Sequence, residues 1–397
     1  MAANFLVIQF ARLGDLLQSK RLILSLAREG QVYLLVDTSL QAFARQIYPF
    51  AYVLAAKAHG QSNLAELFAL NLRVFQELKR IDFAAVYNLN FSPLNYVCAQ
   101  LFPGEIVKGY THLNRQELKS SWTRKAFEWI KKRKLAPLNL IDFWSYLKEK
   151  GEICPPEEVN PLITQNKGEG VGIVLAGRNQ RRSLSPYSLA QLIEVLLKQK
   201  KQKFYLLGTR AEQPLARELK KYLSPREKEF LIDLTGKTSL LDLLDLLPGL
   251  ELVISPDTGL LHLCCHLGVQ TWSFFLSSAW VFETGPYGQG HKVVQSFHSC
   301  APCIENKKCL FQQKCHSDFT PKLFYLLSQE KVEPMPHLGL GSSYFDELGV
   351  NYRFSYGPLW LEEREQARFS LLAYLQGKDI NWPYPDFLFA EREWILA

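Results

Sequence analysis

The 397-residue sequence contains no apolar run of about 20 residues, which is the length that a helix needs to cross a bilayer. Its first fifteen residues, MAANFLVIQFARLGD, lack a basic segment ahead of the apolar core and a small-residue cleavage site. They are typical of a first strand and not of a secretory signal. We therefore expect a cytoplasmic protein that has no membrane-spanning helix.

Because no export signal is evident, the eight cysteines are expected to be reduced. Four of them form a tight pair and two wider steps within sixteen residues, at Cys300, Cys303, Cys309 and Cys315. Such tight pairs are typical of tetrahedral thiolate sites for zinc or iron. We predict a structural metal at this four-cysteine knuckle, residues 300–315, with His298 or His316 able to replace one ligand. Free thiols and disulfides remain as alternatives.

Two familiar binding signatures are also missing. The turn after the first predicted strand, residues 11–15, holds a single glycine, so the G-x-G-x-x-G fingerprint is absent and a nicotinamide dehydrogenase is disfavoured. A net charge of +7 indicates an anionic partner. No nucleic-acid-binding motif accompanies that charge, and we therefore expect no nucleic-acid partner.

Strand and helix patterns alternate along both halves of the chain, which predicts an α/β fold with two Rossmann-like, doubly wound domains. Hydrophobic and charged contents of 47% and 21% are typical of globular domains. Residues 152–170 are polar and rich in proline and glycine, as in an interdomain linker. We predict an N-terminal domain at 1–160, a second domain at 168–330 with a last strand at 271–275, and an aromatic-rich C-terminal extension at 331–397.

The second half is organised around residues 252–266, LVISPDTGLLHLCCH, which predict a buried strand, a tight turn and a helix. Ligands of open α/β sheets bind outside the carboxyl ends of such strands. The free amides at a helix start favour a phosphate, and Gly259 lets the backbone approach it. Asp257 would repel a phosphate and suits a sugar hydroxyl. In the alternative interpretation, Asp257 or Thr258 only caps the helix.

Residues 257–262, DTGLLH, and 284–288, TGPYG, resemble two motifs of the glycosyltransferase family 9 heptosyltransferases. Residues 12–15, RLGD, and 233–240, DLTGKTSL, are similar to two more. The resemblance extends over residues 4–320 with gaps, and it implies the GT-B arrangement of two Rossmann-like domains facing a cleft.

The resemblance also implies site residues. Asp15 aligns with the catalytic base, although a helix cap is the alternative for this position. Arg182 aligns with a lysine that contacts the donor phosphates, and Glu212 aligns with the acidic residue that holds the ribose. The whole predicted donor set is Arg182, Glu212, Asp257, Thr258, Gly259, Leu260, Leu261 and His262. Arg12, Asn88 and Asn90 are the predicted acceptor contacts.

The implied reaction is inverting transfer of a heptose from an ADP-sugar to a phosphorylated lipopolysaccharide core acceptor, with no cofactor needed for catalysis. Residues 276–279, LSSA, depart from the family pattern near the donor sugar. Transfer of another sugar, a protein acceptor and a non-catalytic sugar-nucleotide-binding protein are therefore alternatives. The basic, tryptophan-containing residues 115–134 predict a helix that lies on an anionic membrane surface, grips the phosphorylated acceptor, or packs its aromatic side on the domain.

Overall fold

A computed structural model of the chain describes residues 3–59, 63–114, 116–163, 168–177 and 180–378. The chain divides into two compact units. The first comprises Met1–Ala136, Leu140–Pro155 and Phe369–Ala397, and the second comprises Pro137–Asn139 and Pro156–Arg368. Within the described ranges, none of the helices has both the length and the apolar character needed to span a membrane.

The first unit is built on a six-stranded sheet in the order β3-β2-β1-β4-β5-β6. All neighbouring strands are parallel except β5 and β6, which are antiparallel. The central strand is buried along most of its length, because its apolar residues point to both covered faces. The strands are β1 (Ala3–Gln9), β2 (Gly30–Asp37), β3 (Tyr52–Ala56), β4 (Ala85–Asn88), β5 (Val107–Leu113) and β6 (Gln116–Lys119).

Seven helices belong to the described part of this unit. The segment after β1 forms two short helices that meet at Ser19. The helices are α1 (Leu13–Gln18), α2 (Lys20–Ala27), α3 (Gln41–Ile47), α4 (Leu64–Leu78), α5 (Pro93–Ala99), α6 (Ser121–Lys131) and α7 (Leu140–Ser145). The core joins apolar residues of β1 and β4, such as Leu6 and Val86, to Phe75 and Leu78 of α4.

The second unit contains an eight-stranded sheet in the order β14-β13-β12-β11-β10-β7-β8-β9. The six strands from β12 to β9 are parallel, and the last two at the other edge are antiparallel. The strands are β7 (Val171–Val174), β8 (Phe204–Leu207), β9 (Leu231–Asp233), β10 (Leu252–Pro256), β11 (Thr271–Phe275), β12 (Lys292–Ser296), β13 (Leu338–Asp346) and β14 (Gly349–Phe354). Residues 271–275 were predicted as the last strand. That prediction is wrong, since three further strands extend this edge.

The helices of the second unit begin mostly at serine or threonine caps. Ser185 and Thr320 each accept an amide hydrogen bond ahead of a proline in the first turn, which is a favoured way to start a helix. The helices are α8 (Pro186–Gln199), α9 (Gln213–Tyr222), α10 (Pro225–Lys228), α11 (Leu240–Leu246), α12 (Gly259–His266), α13 (Val281–Thr284), α14 (Pro321–Ser328) and α15 (Trp360–Leu375), the last of which continues beyond the unit's boundary.

Part of the segment predicted as a C-terminal extension is integral to the second unit. The β13–β14 hairpin pairs with β12, and Arg364 of α15 is fully buried with its guanidinium 3.8 Å from the ring centroid of Phe282. Arg368 forms an ion pair with Asp346 at 2.5 Å. Residues 379–397 lie outside the described residues.

Candidate functional site

A cavity of about 370 Å³ lies at the carboxyl ends of the central strands in the second unit. Its walls come from the segments after β7, β8 and β10 and from the start of α11. They combine apolar side chains with hydroxyls and one carboxylate, from Val174, Ala176, Gly208, Thr209, Arg210, Glu212, Gly236, Thr238, Ser239, Leu240, Leu243, Thr258 and Leu260. Both the position and the mixed lining suit a nucleoside.

The turn after β10 borders this cavity. Thr258 is the N-cap of α12, and its hydroxyl accepts from the Leu261 amide at 3.4 Å. The amides of Gly259 and Leu260 have no partner within a helix start of this kind. Of the predicted phosphate-binding amides, these two are therefore available, whereas the amide of Leu261 serves the cap.

Asp257 does not cap the helix. Its Oδ2 accepts a hydrogen bond of 2.8 Å from the Thr284 hydroxyl and also accepts from the guanidinium of Arg182. The side chain is only 6% exposed, and a buried carboxylate requires such partners. The structure therefore brings together two residues of the predicted donor set, and Thr284 from the second family motif joins them.

Two polar atoms at this pair are buried without a hydrogen-bond partner among the described residues. One is Nε of Arg182 itself, and the other is Nδ1 of His262. Burial lowers the pKa of His262 to about 4 against the opposing effect of the Asp257 carboxylate, so the ring is neutral near pH 7. Glu305 Oε2 lies 3.8 Å from the other end of the Arg182 guanidinium.

Glu212, the predicted ribose contact, lines the cavity and is already bonded within the protein. Its Oε2 accepts from the amide and the hydroxyl of Thr209, both at 2.6 Å. This arrangement is a capping box at the start of the turn after β8. A ribose would therefore share the carboxylate with Thr209.

In the first unit, Asp15 is the third residue of α1 and its Oδ2 accepts from the Arg12 amide at 3.1 Å. This contact matches the capping alternative for Asp15. A carboxylate has several acceptor positions, so more than one group can bond to it at once. Arg12 is exposed at the same turn.

The two predicted acceptor asparagines differ in their contacts. Asn88 is buried, and its amide bonds to Asn95 and to the carbonyl of Tyr110. Asn90 is less buried, and its Oδ1 accepts from the amides of Phe10 and Ala11 at 2.7 and 3.1 Å. Asn90 thus shapes the turn after β1, whereas the amide group of Asn88 is used by its bonds to Asn95 and Tyr110.

The knuckle cysteines share one small cavity of about 50 Å³ with His298 and His316. Burial raises the pKa of the Cys315 thiol to about 11, whereas a hydrogen bond from the Gln313 amide lowers the pKa of Cys309. In the part of the chain that the structure describes, no group of three or more His, Cys, Asp or Glu side chains stands close enough to hold a metal as arranged.

The tryptophans of α6 face the first unit itself. Trp129 is 4% exposed, and Trp122 stacks on Phe143 and donates to its carbonyl at 2.8 Å. The helix thus packs its aromatic side on the domain, as one of the three alternatives expected. Side chains of Phe127 and Ile130 lie outside the described residues.

Two α/β units, one with a nucleoside-sized cavity at its strand ends and a cation–carboxylate pair beside it, are the features of a GT-B fold. Residues 176–314 match the model of the family "Glycosyltransferase family 9 (heptosyltransferase)". The matched residues lie within the second unit, which over this range is similar to family 9 glycosyltransferases. The resemblance and the enzyme class predicted from the sequence motifs are confirmed.

Known proteins agree with this assignment. Lipooligosaccharide heptosyltransferase 2 of Haemophilus influenzae is 32% identical over 77 residues, which are 19% of this chain and only 22% of that protein. A family 9 glycosyltransferase from Veillonella parvula has a TM-score of 0.61 at 14% identity over 83% of this chain and 96% of its own. E. coli ADP-heptose LPS heptosyltransferase II has a TM-score of 0.56 at 13% identity, over 82% and 99%. At these identities the two structures establish the fold alone.

Sequence reasoning missed some of the site. Thr209, Arg210 and Leu243 of the cavity wall were not predicted, and neither was the bond from Thr284 to Asp257. The motif at residues 284–288 was recognised, so its first residue could have been proposed as a partner of the aspartate.

Proposed function

We propose that the protein is an inverting glycosyltransferase that moves a heptose or a related sugar from an ADP-sugar to a lipopolysaccharide core-type acceptor. One observation carries the proposal: Arg182 and Asp257 are paired beside a nucleoside-sized cavity that Glu212, Thr258 and Leu260 line. The heptosyltransferase names of the relatives favour ADP-heptose as the donor.

In this proposal the adenosine occupies the cavity, with its base against the leucines of α11 and α12. The ribose hydroxyls donate to the carboxylate of Glu212. The diphosphate lies over the free amides of Gly259 and Leu260, where the helix dipole favours negative charge. Arg182 is near enough to share its guanidinium between Asp257 and a phosphate oxygen, because a guanidinium carries five N–H donors.

The reaction is written as a single displacement. Asp15 removes the proton from an acceptor hydroxyl, and the oxygen attacks the anomeric carbon as the bond to the diphosphate oxygen breaks. The configuration at the anomeric carbon inverts. Negative charge grows on the departing ADP, and Arg182 with the helix amides stabilises it. Asp257 and Thr284 hold the sugar hydroxyls.

A binding panel tests this function. The purified protein is mixed with ADP-heptose, UDP-glucose, GDP-mannose and the free nucleotides, and thermal shift, calorimetry and nucleotide release are measured. We expect tightest binding of the ADP series and ADP release that depends on a core acceptor. Preference for another nucleotide reassigns the donor, and binding without release in the presence of core acceptors supports the non-catalytic alternative.

We also propose a structural zinc or iron at the knuckle. The chemistry of the donor set fits, since four thiols and two imidazoles line one cavity. Among the described residues, no three such side chains are grouped so as to hold an ion as arranged, so binding would require the thiolates to rearrange. Elemental analysis should give about one metal per chain in the wild type and less in Cys300→Ser/Cys303→Ser. Equal metal in both proteins, or none in either, contradicts this proposal.

The expected location is the cytoplasm, at the inner face of the membrane that displays the acceptor. Because Trp122 and Trp129 pack inward, contact with lipid would rely on the Lys and Arg side chains of α6. Co-sedimentation with anionic and neutral vesicles measures this contact. Binding to anionic vesicles that salt abolishes is the expected result, and no binding to either contradicts membrane association.

A further inference from the structure

Arg181 makes contacts that the proposed transfer reaction does not use. It lies next to Arg182 in the 3₁₀ turn Gln180–Arg182, but its side chain points to the knuckle. Its Nη1 donates to the carbonyl of Lys307 at 2.7 Å, and its Nη2 lies 3.4 Å from the Ser277 hydroxyl. The carbonyl of Arg181 is 3.1 Å from Nε2 of His316. Because a carbonyl only accepts, that imidazole nitrogen carries the hydrogen.

The knuckle also holds the loop at residues 276–279, which departs from the family pattern. The Cys303 amide donates to the Ser277 carbonyl at 2.9 Å. Ser277 is 4% exposed and has a left-handed backbone with φ of 61°. A serine in that conformation needs support from its surroundings, and both the Cys303 amide and the Arg181 guanidinium supply it.

Two loops next to the donor site are thus fastened to one knuckle. Arg182, the predicted phosphate contact, follows Arg181 directly and is itself 3.8 Å from Glu305 of the knuckle. Adjacent residues of a short turn diverge, so one arginine is anchored while the other faces Asp257. Electrostatic stabilisation of a leaving group is effective only when the charge is fixed before the reaction.

We propose that Arg181 is a positioning residue that ties the Arg182 turn and the Ser277 loop to the four-cysteine knuckle, and so presets both for the donor diphosphate. The expected effect on turnover rests on the proposed function. The contacts of Arg181 with Lys307 and Ser277 are a property of the fold and do not depend on it. The knuckle would then support the two loops that border the donor site.

The main variant is Arg181→Ala, with Arg181→Lys as the conservative replacement. A lysine keeps the charge and reaches one partner, whereas an arginine reaches both, so partial rescue is expected. Arg226→Ala is the matched control, because Arg226 is an exposed arginine on α10 of the same unit. The affinities for ADP and adenosine, the turnover and the metal content are measured for each protein.

For Arg181→Ala we expect about tenfold weaker ADP binding, unchanged adenosine binding and a turnover loss approaching ~10²-fold, since misplacing a group by about 1 Å has an effect of that size. Metal content and melting temperature should stay as in Arg226→Ala. Equal weakening of ADP and adenosine with a lower melting temperature would show a merely structural residue, and unchanged ADP affinity and turnover would exclude a positioning role.

Hydrogen exchange separates this inference from the proposed function. Amides of residues 180–185 and 276–279 should exchange roughly tenfold faster in Arg181→Ala than in the control, with other segments unchanged, because the opening is local. If the wild type binds no nucleoside diphosphate, the proposed function fails, but hydrogen exchange still tests whether Arg181 holds the two segments in place. Exchange rates in Arg181→Ala that match the control in both segments would contradict the positioning role of Arg181.

Discussion

The two units each place an aspartate at a strand-to-helix turn, and the two carboxylates are used differently. Asp15 follows β1 and accepts from the main-chain amide of Arg12, as a carboxylate in the first turn of any helix can. Asp257 follows β10, where Thr258 takes the capping role. Its Oδ2 accepts only from side chains, those of Arg182 and Thr284, among the described residues.

The different partners of the two aspartates distinguish the hydrogen bonds that cap a helix from those that a binding site would require. The bond from the Arg12 amide to Asp15 has a sufficient structural explanation, so the proposed catalytic role of Asp15 depends on the family motif. The contacts of Asp257 are not explained by the helix start, since a neutral residue there would leave α12 capped. The side-chain contacts of Asp257 therefore favour the proposed role of the second turn in binding the donor, whereas the first turn permits two interpretations.

A buried base lies five residues after each aspartate, which sharpens the comparison. Burial lowers the pKa of Lys20 to about 8 in the first unit and that of His262 to about 4 in the second. At neutral pH Lys20 is therefore a cation and His262 is a neutral ring. The positive charge at the second turn comes from Arg182 instead, which is distant in sequence.

The largest effect is expected from Asp15→Asn, which distinguishes the two interpretations of the first turn. Asparagine keeps an oxygen that accepts from the Arg12 amide but cannot take a proton. Turnover should fall by about 10²–10⁴-fold, as is usual for loss of a general base. The free energy of unfolding and the ADP affinity should stay near wild type, as measured by denaturant titration and calorimetry.

Asp257→Asn is the matched control for that variant, because it changes the second aspartate in the same way. It should weaken binding of the intact sugar nucleotide, which Asp15→Asn should not. Near-normal turnover of Asp15→Asn would falsify the base assignment and leave the cap as the sole role of Asp15.

The next largest effect is expected from Arg182→Ala. It removes the cation of the second turn and leaves the buried Asp257 carboxylate with the Thr284 hydroxyl, 2.8 Å away, as its remaining hydrogen-bond partner among the described residues. ADP binding should weaken by roughly 1.5–3 kcal/mol, as for other charged hydrogen bonds. The loss in kcat/KM should be larger, about 10²–10³-fold, because charge grows on the diphosphate in the transition state.

A double variant tests the pairing itself. In Arg182→Ala/Asp257→Asn the unpaired carboxylate is gone, so ADP binding should recover in part relative to Arg182→Ala. Calorimetry with ADP measures both proteins. Additive losses would contradict coupling of the pair, and unchanged affinity and turnover in Arg182→Ala would make Arg182 an ordinary loop charge.

Sequence patterns predicted the strands around both turns because buried parallel strands are short apolar runs that end at polar turns. They did not predict that Arg182 and Asp257 contact each other, since the two residues are 75 positions apart and Arg178 and Arg181 lie close to Arg182 in the sequence. Side-chain pairing of this kind depends on how strand ends meet in the sheet, which local patterns do not report.

The C-terminal hairpin was missed for a similar reason. Its strands β13 and β14 are rich in glycine, serine and aromatic residues and lack the long aliphatic runs of the central strands. An antiparallel edge needs less burial than a central parallel strand, so its signal is weaker. The inward packing of Trp122 was left open because a basic helix with tryptophans has the same pattern on a domain and on a membrane.

A smaller effect concerns acid stability, through His262. Its pKa is lowered from 6.5 to about 4, so the unfolded chain binds a proton that the folded chain resists. Stability is therefore highest above pH 6.5, is lost as the pH falls toward 4, and changes no further through this group below that. The loss is at most about 3 kcal/mol.

His262→Gln should flatten the dependence of the unfolding free energy on pH between 6.5 and 4, measured by denaturant titration at several pH values. His291→Gln is a matched variant, because its ring is equally buried and its pKa is also lowered to about 4. If the slope of His262→Gln equals that of the wild type, His262 is not a source of acid sensitivity.

The smallest effect is expected from Thr258→Ala, which tests whether Thr258 carries the cap of the second turn. Its hydroxyl accepts from the Leu261 amide, and loss of a threonine cap lowers the free energy of unfolding by about 1 kcal/mol. Thr258→Ser should restore most of that loss because it keeps the oxygen. Ser239→Ala is a matched control, since Ser239 caps α11 at the wall of the same cavity.

Denaturant titration of these variants beside Asp15→Asn decides the comparison of the two turns. If Thr258→Ala is as stable as wild type while Asp257→Asn loses about 1 kcal/mol, then Asp257 supports the helix start, and the distinction between a capping and a ligand-binding aspartate does not hold.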